Sequence, residues 1–194
     1  MAKKSKTWVW ILGIVIILAL VIYVQFKNTY NTMVRLDEQV KSAQSEIENQ
    51  LQRRYDLIPN YVETVKGYAS HEKEVLTKIT EARSRIGSAP TLGEKLKAND
   101  QLNSALARLL VVVENYPNLK ANENFIRLQD ELAGTENRIA VARRRYIRAV
   151  QVYNQKVRQF PTNVIAGMFG FHEKEQFKTV EAAHQAPKVN FKNQ

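Results

Sequence analysis

Between Asn122 and Phe160 the apolar residues recur at alternating steps of three and four: Phe125, Leu128, Leu132, Thr135, Ile139, Ala142, Tyr146, Ala149 and Tyr153. In an α-helix that spacing keeps one narrow stripe turned toward a partner, the seam of a coiled coil or bundle. After Tyr146 the register can slip by one residue, through Val150, Tyr153, Val157 and Phe160, as a stutter does. Pro161 stops the run. At the α-helical rise this helix is roughly 57 Å long, so it needs an equally long partner. The stretch Tyr30–Tyr68 supplies one, with Leu36, Val40, Ala43, Ile47, Leu51, Ile58, Val62 and Val65 on the same kind of period. Pro59 removes a hydrogen bond within it and is expected to kink it near Arg54–Ile58.

Upstream of that partner, Trp8–Phe26 carries no formal charge and is rich in Ile, Leu and Val. As a helix it spans about 28 Å, close to the hydrocarbon thickness of a bilayer. A cleaved leader would need a small-residue cleavage site, and Ile22-Tyr23-Val24-Gln25-Phe26-Lys27 offers none. The segment therefore reads as a retained single-pass anchor, with Trp8, Trp10, Tyr23 and Phe26 as its anchoring aromatics. Lys3, Lys4 and Lys6 crowd the N-terminal flank, residues 1–7. Under the positive-inside rule they favour a cytoplasmic N-terminus and a domain outside the inner membrane.

Two shorter helices fill the middle of the chain. Ser70 is placed to cap the first, with Glu72 and Glu74 in its first turn and Val75, Ile79, Ala82 and Ile86 inward. The run Gly87-Ser88-Ala89-Pro90-Thr91-Leu92-Gly93 is a loop. The second carries Leu96, Leu102, Leu106, Leu109 and Val113 and stops at Asn115-Tyr116-Pro117, after which Asn122 caps the long helix. No strand pattern occurs. The expected fold is all-α: a membrane helix followed by an elongated antiparallel four-helix bundle over residues 27–171, then an extended, weakly held tail, 172–194.

An up-down-up-down arrangement makes a length argument possible. The first bundle helix rises ~60 Å from the membrane, and the last descends ~57 Å, which returns the chain to bilayer level. There it meets a short apolar stretch, Val164-Ile165-Ala166-Gly167-Met168-Phe169-Gly170-Phe171. That stretch either caps the bundle or, through Val164, Ile165, Met168, Phe169 and Phe171, enters the headgroup region or docks a partner; the cap is favoured, because a bundle end must be covered. The basic cluster Arg138, Arg143, Arg144, Arg145 and Arg148 reads first as a solvated helix face; its functional reading is a second interface, with Arg144, Arg145 and Arg148 facing a protein partner or Glu residues of the first helix. At some 18–33 Å above the bilayer the cluster stands beyond the ~8 Å reach of the lipid surface potential.

The chain's net charge of +10 permits nucleic acid as a partner, yet aromatics interleaved for base stacking are missing from the basic cluster, where Tyr146 belongs to the seam. Catalytic patterns are missing too. His71-Glu72-Lys73-Glu74 recurs as His172-Glu173-Lys174-Glu175, and neither supplies the second His of a zinc-protease helix. There is no Cys, no Gly-rich phosphate loop and no serine elbow. These absences point to a protein with no catalytic or metal-ligating residues, no cofactor and no small-molecule substrate. Gly134, inside the long helix, suggests a close helix crossing or a mild kink.

The blocks Gln50-Leu51-Gln52-Arg53-Arg54-Tyr55-Asp56-Leu57-Ile58-Pro59-Asn60, Val62–Tyr68, Glu114–Asn122, Glu131–Arg143, Phe160-Pro161, Gly170-Phe171 and Pro187-Lys188-Val189-Asn190-Phe191 resemble the bacterial LemA family over nearly the whole chain. Gln44 and Ile147 depart from that pattern, where an aromatic and an Asn are common. The resemblance implies an N-terminal membrane anchor on a four-helix domain, and no enzyme activity or cofactor. Function is expected to be that of a non-enzymatic scaffold or adaptor in the bacterial envelope, self-assembling, holding protein partners or supporting membrane-protein quality control. The alternative is a membrane-remodelling module acting through residues 164–171.

Overall fold

A computed structural model describes residues 4–175 of the chain, with side chains from Trp8 onward. Six helices, and no strand, occur among them: α1 (Lys4–Lys66), α2 (Lys73–Ser88), α3 (Leu92–Val113), α4 (Pro117–Lys120), α5 (Glu123–Arg158) and α6 (Thr162–Phe169). The apolar segment and the first bundle helix are a single unbroken helix, α1, about 94 Å long. Its first part is long and apolar enough to cross a membrane, and among the described residues none buries its most apolar stretch. Trp8, Trp10 and Tyr23 are exposed at 70%, 75% and 63%, whereas Phe26 is already half-covered.

From there the architecture is one long antiparallel pair, α1 against α5, with α2 and α3 folded back as a hairpin on the upper part of α1. The seam residues Leu36, Val40, Ile47, Leu51, Ile58, Val62 and Val65 are buried against Phe125, Leu132, Thr135, Ile139, Ala142, Tyr146, Val150, Tyr153 and Val157. Both the three-four period and its slip after Tyr146 are thus present in α5. Tyr61 and Phe125 close the upper end, stacked at 5.2 Å between ring centroids. Asn122 caps α5 by accepting the Phe125 amide, and its side-chain amide donates to the Tyr68 hydroxyl at 2.9 Å.

Five local readings need correcting. Ser70 does not cap α2; the chain turns through Ala69, which is buried, and the helix starts at Lys73 with Glu72 before it. Glu72 is held in that place by the Tyr116 hydroxyl, which donates to it at 3.0 Å. Leu76 rather than Val75 then takes the inward position. Thr91 belongs to α3 rather than to the loop: its hydroxyl accepts the Glu94 amide and donates to the Glu94 carboxylate, so that α3 starts at Leu92. Phe160 leaves the seam, being 79% exposed, because α5 ends at Arg158 and an extended Gln159 turns the chain toward Pro161. Gly134 marks no close crossing, since a Cβ added there would meet only the end of Arg138, at 4.0 Å.

Candidate membrane-proximal interface

The lower end of the α1–α5 pair is built from three short pieces of sequence. α5 delivers Phe160 and Pro161; α6 follows; Gly170 ends it in the left-handed conformation, φ 74°, that favours glycine. The amides of Gly170 and Phe171 both reach back to the Ala166 carbonyl, which turns the chain sharply upward. Ile165 and Ala166 are buried on the underside of the bundle. The Phe169 ring lies 4.8 Å from Tyr30 and 5.7 Å from Phe26, and Phe171 lies 6.0 Å from Tyr30. Aromatic pairs at such separations attract beyond their buried area. The foot of the bundle is therefore clasped to the helix where the apolar segment ends.

The same helix has a second face. Val164 and Met168, one turn apart, are 55% and 68% exposed, Phe160 stands free beside them, and 48% of Phe169 is open. Of the apolar residues expected here, Ile165 and Phe171 thus turn to the bundle, Val164 and Met168 to the outside, and Phe169 to both.

Beyond α6 the chain climbs the α1–α5 pair and is held there. The Lys174 amide donates to Asn154 Oδ1 at 2.8 Å, the Asn154 side-chain amide donates to the Lys174 carbonyl at 2.7 Å, and Lys174 Nζ lies 2.8 Å from Asp37. Burial pushes the Asp37 carboxyl up, but hydrogen bonds from Lys174 and Lys41 outweigh it and hold the group below its ordinary value. The expectation of a weakly held tail does not describe residues 172–175, and residues 176–194 lie outside the described part.

The basic cluster is not brought to this foot. Arg144, Arg145 and Arg148 are exposed on α5, and Arg148 lies about 15 Å above that helix's lower end. Among the described residues none of these three has a carboxylate within ion-pair distance. Arg143 differs: it is half-buried, and its charge opposes the upward push that burial gives the Asp100 carboxyl.

Sequence reading missed a buried polar cluster higher in the bundle. Arg54 is only 3% exposed; it donates to Asn99 Oδ1 at 2.9 Å and pairs with Asn103 and with Glu136, tying α1 to α3 and α5. Its Nε has no partner among the described residues. Beside it runs a groove of about 230 Å³ lined by Tyr61, Leu106, Leu132 and Glu136 among others. A signal was available: Arg54 stands where the steps Ile47, Leu51 and Ile58 require a buried side chain. Among the described residues no group of three His, Asp or Glu is arranged to hold a metal.

The comparisons with known proteins fit this architecture. The family model described as "LemA family" matches residues 43–191. Magnetosome protein MamQ 2 of Paramagnetospirillum magneticum is similar at 29% identity over 175 residues, 77% of this chain and 64% of the relative. Protein LemA of Metamycoplasma hominis is similar at 25% identity, over 83% of this chain and 74% of its own length. Magnetosome protein MamQ of Magnetospirillum gryphiswaldense is similar at 26%, over 81% and 65%. The chain spans just under two thirds of the length of the MamQ relatives. With the matched region running from within α1 through the whole helical bundle, the chain belongs to the LemA family.

Proposed function

We propose that this membrane-associated helical protein is a non-enzymatic scaffold or adaptor of the bacterial envelope. In this reading it stands on a single-pass anchor, with its bundle on the outer side of the inner membrane, self-associates and presents its sides to protein partners. The observation that carries the reading is the clasp of Phe169 on Phe26 and Tyr30. It makes bundle and anchor one mechanical piece, because α1 is continuous and α6 braces the bundle at the point of exit. Such rigidity suits a spacer that holds partners at a set height above the membrane. The exposed Arg144, Arg145 and Arg148 supply a basic side for an acidic partner. The relatives' names are not those of enzymes, which supports the non-enzymatic part. The test is purification of the full-length protein in mild detergent with mass measurement and identification of co-purifying proteins. Assemblies or a reproducible membrane-protein partner are expected, with partner capture weakened by reversing Arg145 and Arg148 to Glu. A monomer without partners under these conditions overturns the reading.

A further inference from the structure

The two faces of α6 invite different environments. The inner one, Ile165, Ala166 and half of Phe169, is spoken for by the bundle. The outer one, with Val164, Met168 and the adjoining Phe160, is left bare in a molecule whose other large exposed apolar side chains lie chiefly in the Trp8–Val24 segment. We propose that this outer face rests in the lipid headgroup region, so that the protein holds the membrane at two points: the α1 span and the α6 foot.

The occupant follows from position. Phe26 closes the uncharged run, so the hydrocarbon boundary falls near its ring when Trp8–Phe26 spans the bilayer. The Phe169 ring is 5.7 Å from Phe26, and Met168 immediately precedes it. The apolar outer face is thus carried on the short helix whose Phe169 touches the end of the span. Interfacial helices bury such faces about 5–10 Å into the headgroup and acyl boundary. Phe26, Tyr30 and Phe169 then form the aromatic girdle usual at that depth. A protein occupant would have to share this position with lipid headgroups. The capping role and the membrane contact are thus two faces of one helix.

The inference rests on the anchor reading of residues 8–26, and the test separates the two. Because the chain has no Cys, a single cysteine can be placed at will. Full-length Met168→Cys, Val164→Cys, Ile14→Cys and Arg145→Cys are spin-labelled and reconstituted at one copy per nanodisc of phosphatidylcholine with phosphatidylglycerol. Accessibility to oxygen, which partitions into lipid, is compared with that to a water-soluble nickel chelate. The altered side chains at 164 and 168 are exposed, so the substitutions leave the fold's packing alone. Labels at 164 and 168 are expected to favour oxygen several-fold over the label at 145, at a depth shallower than that at 14. Labels at 164 and 168 as open to the chelate as that at 145, with 14 still in lipid, overturn the foot and spare the anchor. Labels at 164 and 168 closed to both reagents mean protein covers the face, which also overturns it. A chelate-accessible label at 14 removes both readings together.

Discussion

The Nε of Arg83 donates a 2.9 Å hydrogen bond to the main-chain carbonyl of Tyr55. Four residues on stands Pro59, which has no amide hydrogen to give that carbonyl. α2 thus supplies the donor that α1 lacks. The Arg83 guanidinium also lies over the Tyr55 ring, 3.7 Å from its centroid, and Gly87 leaves room for that ring: a Cβ there would come within 3.0 Å of it. One turn of α1 and two residues of α2 are locked by a single proline.

Arg83→Met should therefore lower stability by about 1–2 kcal/mol, from the lost hydrogen bond and cation–π contact. In a Pro59→Ala background the helix recovers its own donor, so the same change should cost measurably less. The check is a double-mutant cycle on the full-length protein in detergent, followed by helical circular dichroism. Equal losses in both backgrounds would mean that Arg83 acts through the ring alone.

Buried charge gives a larger effect. Glu136→Ala leaves the Arg54 guanidinium inside the bundle without its hydrogen-bonded counter-charge, with only the more distant charge of Asp100 acting on it. The expected loss is toward the lower end of the ~3–5 kcal/mol known for broken buried pairs, because Glu136 itself keeps 38% exposure. Adding Arg54→Met should recover most of it, since two apolar groups carry no desolvation debt. If the double variant is no more stable than Glu136→Ala, Asn99 and Asn103 rather than Glu136 are the partners that matter.

The Lys174–Asp37 contact is sensitive to acid. Asp37 has its folded value depressed, so its contribution is present above the ordinary carboxylate range and is lost as pH falls through that depressed value. At pH 7, Asp37→Asn should loosen residues 171–175 by about 0.5–1 kcal/mol and speed their amide exchange. As pH is lowered below the folded value, the parent should lose the same protection and the two curves should meet. Curves that already coincide at pH 7 would assign the hold to the Asn154 hydrogen bonds instead.

Core and surface on α5 separate cleanly. Leu132→Ala and Ile139→Ala should each cost about 2–5 kcal/mol, as large-to-small changes in a packed seam do. Phe160→Ala should stay within ~0.5 kcal/mol of the parent despite its place in the apolar period, as expected of an exposed side chain. Gly134→Ala should raise stability by about 0.5–1 kcal/mol, having open space for its methyl group and less chain entropy to lose. Denaturation midpoints in one detergent order all four.

Those contrasts also mark what the chain discloses before it folds. Seam residues such as Leu132, Ile139 and Val150 were legible because burial in a long helix pair obeys one period. Asn122 was legible because a cap depends on neighbours three residues away. Phe160 satisfied the same period but fell in the turn that ends α5, and Ser70 looked like a cap until Ala69 claimed the turn. Arg54 and Asn99 occupy seam positions with polar side chains, and their meaning depended on α3 and α5 meeting there. The foot was half legible. Helix lengths returned the chain to Phe26, but only the geometry divides Ile165 from Val164.

The last prediction concerns sidedness, which the fold leaves to the flanking charges. Lys3, Lys4 and Lys6 lie before the span, while Lys27, Arg35 and Lys41 are spaced out beyond it. Dense positive charge close to a span stays on the cytoplasmic side, and acidic residues count for little. The bundle should then lie outside. Arg145→Cys offers a reporter in a chain with no other thiol, on an exposed part of α5 well above the foot. A membrane-impermeant maleimide added to intact spheroplasts should label it as completely as in lysed ones. Removing the three lysines together should leave part of the population unlabelled until lysis, as mixed orientations appear. Labelling of the parent only after lysis would put the bundle in the cytoplasm and turn the basic side toward cytoplasmic partners.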